Sequence, residues 1–256
     1  SQVNEMRNDL SAHYKLTSNI EIGSWIKSNL GSNGWIPIGT EGLPFTGSLD
    51  GGGYNITNLL CSRQNNVGLF GVTSKAIVKN LNLTSANMSG SENVGILIGC
   101  SHNSDISNIT VSGDCRGSNC VGGLIGKIHD SCTTVGASNG EISDVTSVTG
   151  CNIECNVIGE NYVGGLIGEI SVFTECVMDT KIARVEKVPY NGYWYMHCKI
   201  KQDILNCKFN GNISGVSNVG GVIGYANLDS HTYNQCTYTP TQVSYTYHYL
   251  SELSKY

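Results

Sequence analysis

Apolar residues recur along this chain in a fixed order with glycine. Five segments share one pattern: Val67-Gly-Leu-Phe-Gly71, Val94-Gly-Ile-Leu-Ile-Gly99, Val121-Gly-Gly-Leu-Ile-Gly126, Val163-Gly-Gly-Leu-Ile-Gly168 and Val219-Gly-Gly-Val-Ile-Gly224. The first copy is one residue short. Successive copies start 27, 27, 42 and 56 residues apart, so the later units carry insertions of roughly 15 and 29 residues beyond the period. A second element precedes each hexad, with apolar residues at relative positions 0, 3 and 5 and a polar amide at 2. It reads Ile56-Thr-Asn58-Leu59-Leu-Cys61, Val78-Lys-Asn80-Leu81-Asn-Leu83, Ile106-Ser-Asn108-Ile109-Thr-Val111, Ile142-Ser-Asp144-Val145 and Ile204-Leu-Asn206-Cys207-Lys-Phe209. A sixth copy, Tyr233-Asn-Gln235-Cys236-Thr-Tyr238, has no hexad after it.

No single unit has enough apolar surface to fold alone. Stacking the units as coils about 4.8 Å apart sets each Val, Ile or Leu over its counterpart and closes a continuous core. The pattern therefore predicts an all-β, single-domain parallel β-solenoid of about six coils, with glycines where a Cβ would clash or φ must be positive. The column Asn58, Asn80, Asn108, Asp144, Asn206 and Gln235 is expected to form an inward amide ladder at a corner, interrupted at Asp144. Val3, Met6 and Leu10 have helical spacing and predict a short helix over 2–11, capping the first coil. The organisation expected is a helical cap over 1–13, a solenoid over 14–238 with insertions at about 127–141 and 172–202, and a Tyr-rich strand or tail over 239–256.

The run Arg7-Asn-Asp-Leu10, Tyr14-Lys-Leu16, Trp35-Ile-Pro-Ile-Gly39, Phe45 and Asn58-Leu59, followed by the hexads, resembles the GLUG-repeat family. The resemblance implies a surface or secreted protein with adhesin-like relatives and a parallel solenoid. It implies no single activity, because such repeats serve many host proteins.

Composition narrows the setting. Charged residues are 14% of the chain, against about a quarter in ordinary soluble domains. The net charge is −5 and no basic run exceeds two residues, so nucleic acid is not an expected partner. No apolar stretch reaches the ~20 residues of a membrane span, so membrane insertion is not expected. The expected location is extracellular or at the cell surface, with a signal peptide removed.

Eleven cysteines point to an oxidising compartment, and the odd count leaves at least one thiol free or bonded to another molecule. Cys207 and Cys236 share a register and fall within disulfide reach if their coils are adjacent; the competing reading is packed core thiols. Cys115 with Cys151, Cys120 with Cys155 and Cys132 with Cys176 are further candidate bridges between coils. Cys61, Cys100 and Cys198 remain as intermolecular or free thiols. Neither Cys115/Cys120 nor Cys151/Cys155 has zinc-ribbon spacing, and no His sits at ligand spacing, so no metal or cofactor is expected.

Val243, Tyr245, Tyr247 and Tyr249 alternate with polar residues, a strand that either folds back on its own solenoid or adds to a neighbouring subunit. Tyr190, Tyr193, Trp194 and Tyr195 form the densest aromatic patch, suited to a lid, a subunit contact or a sugar. Asn55, Asn82, Asn87 and Asn212 stand in Asn-x-Ser/Thr sequons and are glycosylation candidates; Asn108 does too, but belongs to the proposed ladder. Glu141, Asp144 and Glu169 are a weak carboxylate cluster beside what a β-helix glycosidase or lyase needs. The sequence therefore favours a non-enzymatic structural protein that polymerises with itself as sheath, surface layer or filament. An adhesin for a host protein or glycan is the alternative, and a carbohydrate-active enzyme the second.

Overall fold

The computed structural model describes residues 2–135, 141–142, 145–177, 199–200 and 203–227. Each coil runs through three parallel sheets. The first holds Ser48–Asp50, Ile77–Ser89, Asp105–Arg116, Ser147–Thr149 with Asn152–Ile158, and the short strands from Ile204 to Ser214. The second holds the hexad starts, Asn65–Val67, Glu92–Val94, Asn119–Gly122, Asn161–Gly164 and Ser217–Gly220. The third holds Phe70–Ser74, Ile98–His102, Ile125–Val135, Ile167–Val177 and Ile223–Asn227. The protein is an all-β parallel solenoid.

Val67, Val94, Val121, Val163 and Val219 pair in register along one axis. The first four are fully buried, while Val219, on the last described rung, is 46% exposed. The hexad glycines serve close approach rather than unusual φ. A Cβ on Gly126 would meet the backbone of Asn93 and Val94 at 2.4 Å, and one on Gly168 that of Cys120 and Val121 at 2.5 Å. The left-handed corner falls just before each hexad, at Asn66, Asn93, Cys120, Tyr162 and Asn218. Asn tolerates that conformation; Cys and Tyr rarely adopt it.

The corner amides differ from expectation in register and in direction. Val78 pairs with Leu49 and Ile106, whereas Ile56 pairs with Ile20 and Leu83. The strand Ile77–Ser89 is long enough to carry two corners with the same apolar spacing, and the segment at 56–61 matches the second. Two columns result. Asn108 Nδ2 donates to Asn80 Oδ1 (3.2 Å) and Asn80 to Asp50 Oδ1 (3.1 Å), while Asn58 donates to Glu21 Oε1 (3.0 Å). Both face outward, with Asn58 and Asn108 exposed. Beyond Asn108 the register passes to Val148-Thr-Gly150, not to Ile142-Ser-Asp144. Gly150 takes the left-handed corner at φ +65°; Asp144 and Gln235 lie outside the described residues.

At the N-terminal end a helix at Gln2–Glu5 and a 3-10 turn at Met6–Asn8 bury Val3 and Met6, shorter than the span read from spacing. Arg7 lies 4.9 Å over the Trp35 ring and donates to the carbonyls of Ile36 and Pro37. A second helix, Gly23–Asn29, was not expected; Glu21 starts it by accepting from the amides of Gly23 (2.8 Å) and Ser24 (3.2 Å). The strands Ile125–Val135 and Ile167–Val177 pair throughout, so the extra chain after these hexads begins as paired strand.

Candidate functional site

The outer face of the third sheet carries the densest chemistry among the described residues. Alternation along each strand sends Ser101 and Ile128 inward and their neighbours outward. One outward column is Cys100, Lys127, Glu169 and Tyr225; two residues on, His129, Ser171 and Asn227 follow His102. Side chains reach over this face from both sides. The left-handed corner sends Cys120 across to Glu169 Oε2, its Sγ donating at 2.9 Å, and stacks Tyr162 against Tyr225 with ring centroids 5.0 Å apart. Glu41 arrives from the loop before Phe45.

Two polar knots result. Glu169 accepts from Cys120 and from Ser171 Oγ (2.5 Å) and pairs with Lys127 Nζ at 3.1 Å. Burial opposes its ionisation, but these donors and the lysine charge outweigh burial and hold its carboxyl below the usual range. Burial likewise disfavours the charge on Lys127, and Glu169 more than compensates. In the second knot, Cys100 Sγ lies 3.7 Å from His102 Nε2, which lies 3.6 Å from Glu41 Oε2. His102 Nδ1 meets the carbonyl oxygen of His129 at 2.5 Å, and Glu41 Oε1 accepts from Asn66 Nδ2 at 3.2 Å. Cys100, His102 and Glu41 superficially form a thiol–imidazole–carboxylate triad, but both partners face the same ring nitrogen. Burial pushes the Cys100 thiol up to about 12, which leaves no thiolate at neutral pH to act as nucleophile.

Beneath this face, Asp130 is wholly buried. It accepts from the amides of Asn103 and Thr146 (2.6 Å each) and from Thr146 Oγ1 (2.8 Å). Thr73, Ser101 and Ser104 extend the same network. Its satisfied bonds make it a structural knot. An open cleft beside Ser62, Arg63, Ser89 and Gly90 lies elsewhere, and its Arg63 guanidinium is engaged by the carbonyls of Trp35 and Gly34.

Known proteins share this fold over partial lengths. A solved structure from Bacteroides ovatus, described as an immunoglobulin A1 protease, superposes with a TM-score of 0.55 at 17% identity, over 97% of this chain and 81% of that one. The likeness is of fold. No family model matches the chain. Halomucin of Haloquadratum walsbyi is 36% identical over 140 residues, 53% of this chain and 2% of that protein. A protein of Evansella cellulosilytica described as a Gly-rich membrane protein is 37% identical over 75 residues, 28% of this chain and 8% of its own. Immunoglobulin A1 protease of Streptococcus sanguinis is 28% identical over 232 residues, 88% of this chain and 12% of its own. The chain thus spans 2% to 12% of the length of these curated relatives.

Of the cysteine pairs expected from sequence, Cys207 with Cys236 reaches outside the described residues, and the other three do not fall in register. Cys115 opposes Met88 and Val157, and Cys61 opposes Met88; both sit in an apolar column as small core residues. Cys155 opposes Gly113 in the first sheet, whereas Cys120 lies in the second, just before the paired Val121 and Val163. Cys132 opposes Thr174 and Cys176 opposes Thr134, two residues out of step, a diagonal of about 7–8 Å beyond the ~7 Å limit of a disulfide. The register from Val148 and Ile204 instead sets Cys151 against Cys207 on the next rung. A hydrogen bond from Cys151 lowers the Cys207 thiol below its ordinary value. The misassigned turn at 142–145 concealed this pair. Cys61, Cys100, Cys115, Cys120, Cys151, Cys155 and Cys207 are all free thiols.

Cys198, Cys236, Tyr190, Tyr193, Trp194, Tyr195, Val243, Tyr245, Tyr247 and Tyr249 lie outside the described residues. Of the sequons, Asn82 Nδ2 donates to Gly53 O (3.0 Å) and Asn212 Nδ2 to Asn156 Oδ1 (3.0 Å), while Asn156 Nδ2 donates to Asp114 Oδ1 (3.0 Å). Asn55 is half-buried and Asn87 exposed. Of the weak carboxylate cluster, Glu169 pairs with Lys127 and Glu141 is in register with Lys199, while Asp144 is outside the described residues.

Proposed function

We propose that this chain is a non-enzymatic structural segment of an extracellular, cell-surface protein, a GLUG-type solenoid that joins further copies of itself by strand addition and intermolecular disulfides. One observation carries the reading. From Val67 to Val219 each rung pairs in parallel and in register with the next, so every rung presents to its successor a strand edge of the same geometry. Strand edges of this kind are natural sites for adding a strand. The names borne by relatives, halomucin, a Gly-rich membrane protein and an immunoglobulin A1 protease, fit a surface or secreted setting. The Cys100 and Cys120 thiols, held protonated by burial, and Glu169, whose charge is matched by Lys127, support a role without catalysis.

Light scattering and non-reducing gels, on the chain with and without residues 240–256, test the proposal. Oligomers that need both the tail and non-reducing conditions support it. A monomer throughout, with the tail intact, overturns it. Binding to a glycan array that is lost in Trp194→Ala would replace it with the adhesin reading.

A further inference from the structure

The second knot has a feature that neither assembly nor core packing explains: three different ligand atoms converge on one point at the surface. We propose that Glu41, Cys100 and His102 bind a zinc ion that staples the loop carrying Glu41 to the third sheet.

Distances fit first. Tetrahedral zinc, with bonds of about 2.3 Å to sulfur and about 2.0–2.2 Å to nitrogen and oxygen, sets sulfur and nitrogen about 3.5 Å apart and nitrogen and oxygen about 3.4 Å apart. The observed separations are 3.7 Å for Cys100 Sγ to His102 Nε2 and 3.6 Å for His102 Nε2 to Glu41 Oε2, and all three atoms lie within 4.8 Å of one another. Orientation fits next. A histidine that ligates through one nitrogen characteristically donates from the other to a carbonyl. His102 does this through Nδ1 to His129 O, which leaves the Nε2 lone pair facing the thiol and the carboxylate. Asn66 holds the carboxylate in the same manner, donating to Oε1 and turning Oε2 toward His102. Charge is also suitable. Lys127, the cation on the neighbouring rung, is matched by Glu169. The Glu41 side chain is 62% exposed, which leaves the fourth position to water.

Binding exchanges the Cys100 thiol proton for a sulfur–zinc bond, and that proton passes to solvent. No redox change is involved. Cys-x-His along a strand is outside the knuckle spacings used to judge sequence, and Glu41 lies in a distant segment, so the cluster exists only once the coil is wound.

The test uses the full chain, reduced and stripped with a chelator, then titrated with zinc chloride by calorimetry and with cobalt(II) by absorbance. The expected result is one tight equivalent, a thiolate-to-cobalt charge-transfer band, and a higher unfolding temperature when zinc is bound. Glu41→Gln and His102→Gln each weaken zinc at least about tenfold, and Cys100→Ser abolishes the band. Cys151→Ser/Cys207→Ser keeps both binding and band. Failure to bind zinc, binding by Cys100→Ser equal to wild type, or loss of the band in the Cys151/Cys207 double variant would each overturn the proposal. If Cys100→Ser does not fold by circular dichroism, Glu41→Gln, on an exposed side chain, decides the matter by affinity alone.

Discussion

Replacing Gly126 by alanine puts a number on how closely the rungs approach. The added Cβ would sit 2.4 Å from the carbonyl carbon of Asn93 and 2.4 Å from the amide nitrogen of Val94. Non-bonded carbons rest at about 3.5–4.0 Å, so one rung must retreat by about an ångström. Both rungs are pinned: Gly95 N donates to Val67 O at 3.0 Å, and Leu97 N to Leu124 O at 3.0 Å. Weakening two to four such ladder bonds, at about 1 kcal/mol each, puts the cost at about 2–4 kcal/mol. That is a large part of the stability of an ordinary domain. Gly42→Ala is the matched control, because Gly42 is exposed and nothing lies within 4 Å of its added Cβ. It should be neutral or stabilising by up to about 1 kcal/mol, through the unfolded chain. Urea unfolding followed by tryptophan fluorescence and circular dichroism gives both midpoints and slopes. A Gly126→Ala midpoint equal to that of Gly42→Ala would refute the close-packed corner.

Mild oxidation with a small-molecule disulfide should join Cys151 to Cys207, because in-register residues on adjacent strands lie about 4.8 Å apart, inside the disulfide range; peptide mapping without reductant checks the pair, and a Cys115–Cys151 or Cys120–Cys155 peptide would contradict it. Acid should loosen the start of helix Gly23–Asn29. Hydrogen bonds from Asn58, and then Ser24 and Gly23, hold Glu21 at about 2 against an ordinary 4.5. Its contribution is therefore present above 4.5 and lost as pH falls through about 2. Amide exchange at Gly23 and Ser24 across that window reads the loss, and Glu21→Gln should remove the pH dependence.

Much of the architecture was visible in the hexads, because each aligned valine needs a partner directly above it and the glycines admit no wider spacing. What misled was degeneracy. The strand Ile77–Ser89 bears two corners with the same apolar interval, so the segment at 56–61 was placed one corner early. The unit at 142–145 matched the pattern by composition, while the actual corner is Gly150, which has no side chain to signal it. That slip carried the cysteine pairs with it. The ligand cluster around His102 left no trace in spacing, because Glu41 and Cys100 meet only through the rise of the stack.

The amide columns have a direction. Asn58 donates to Glu21, Asn93 through Asn66 to Glu41, Asn108 through Asn80 to Asp50, and Asn212 through Asn156 to Asp114, always toward the amino-terminal side. A carboxylate has lone pairs and no hydrogens, so it can stand only at the foot of such a series. The uppermost amide of a column is left offering an oxygen. A column of this kind cannot run on across a joint between two molecules, so any filament of them starts its amide columns afresh in every subunit.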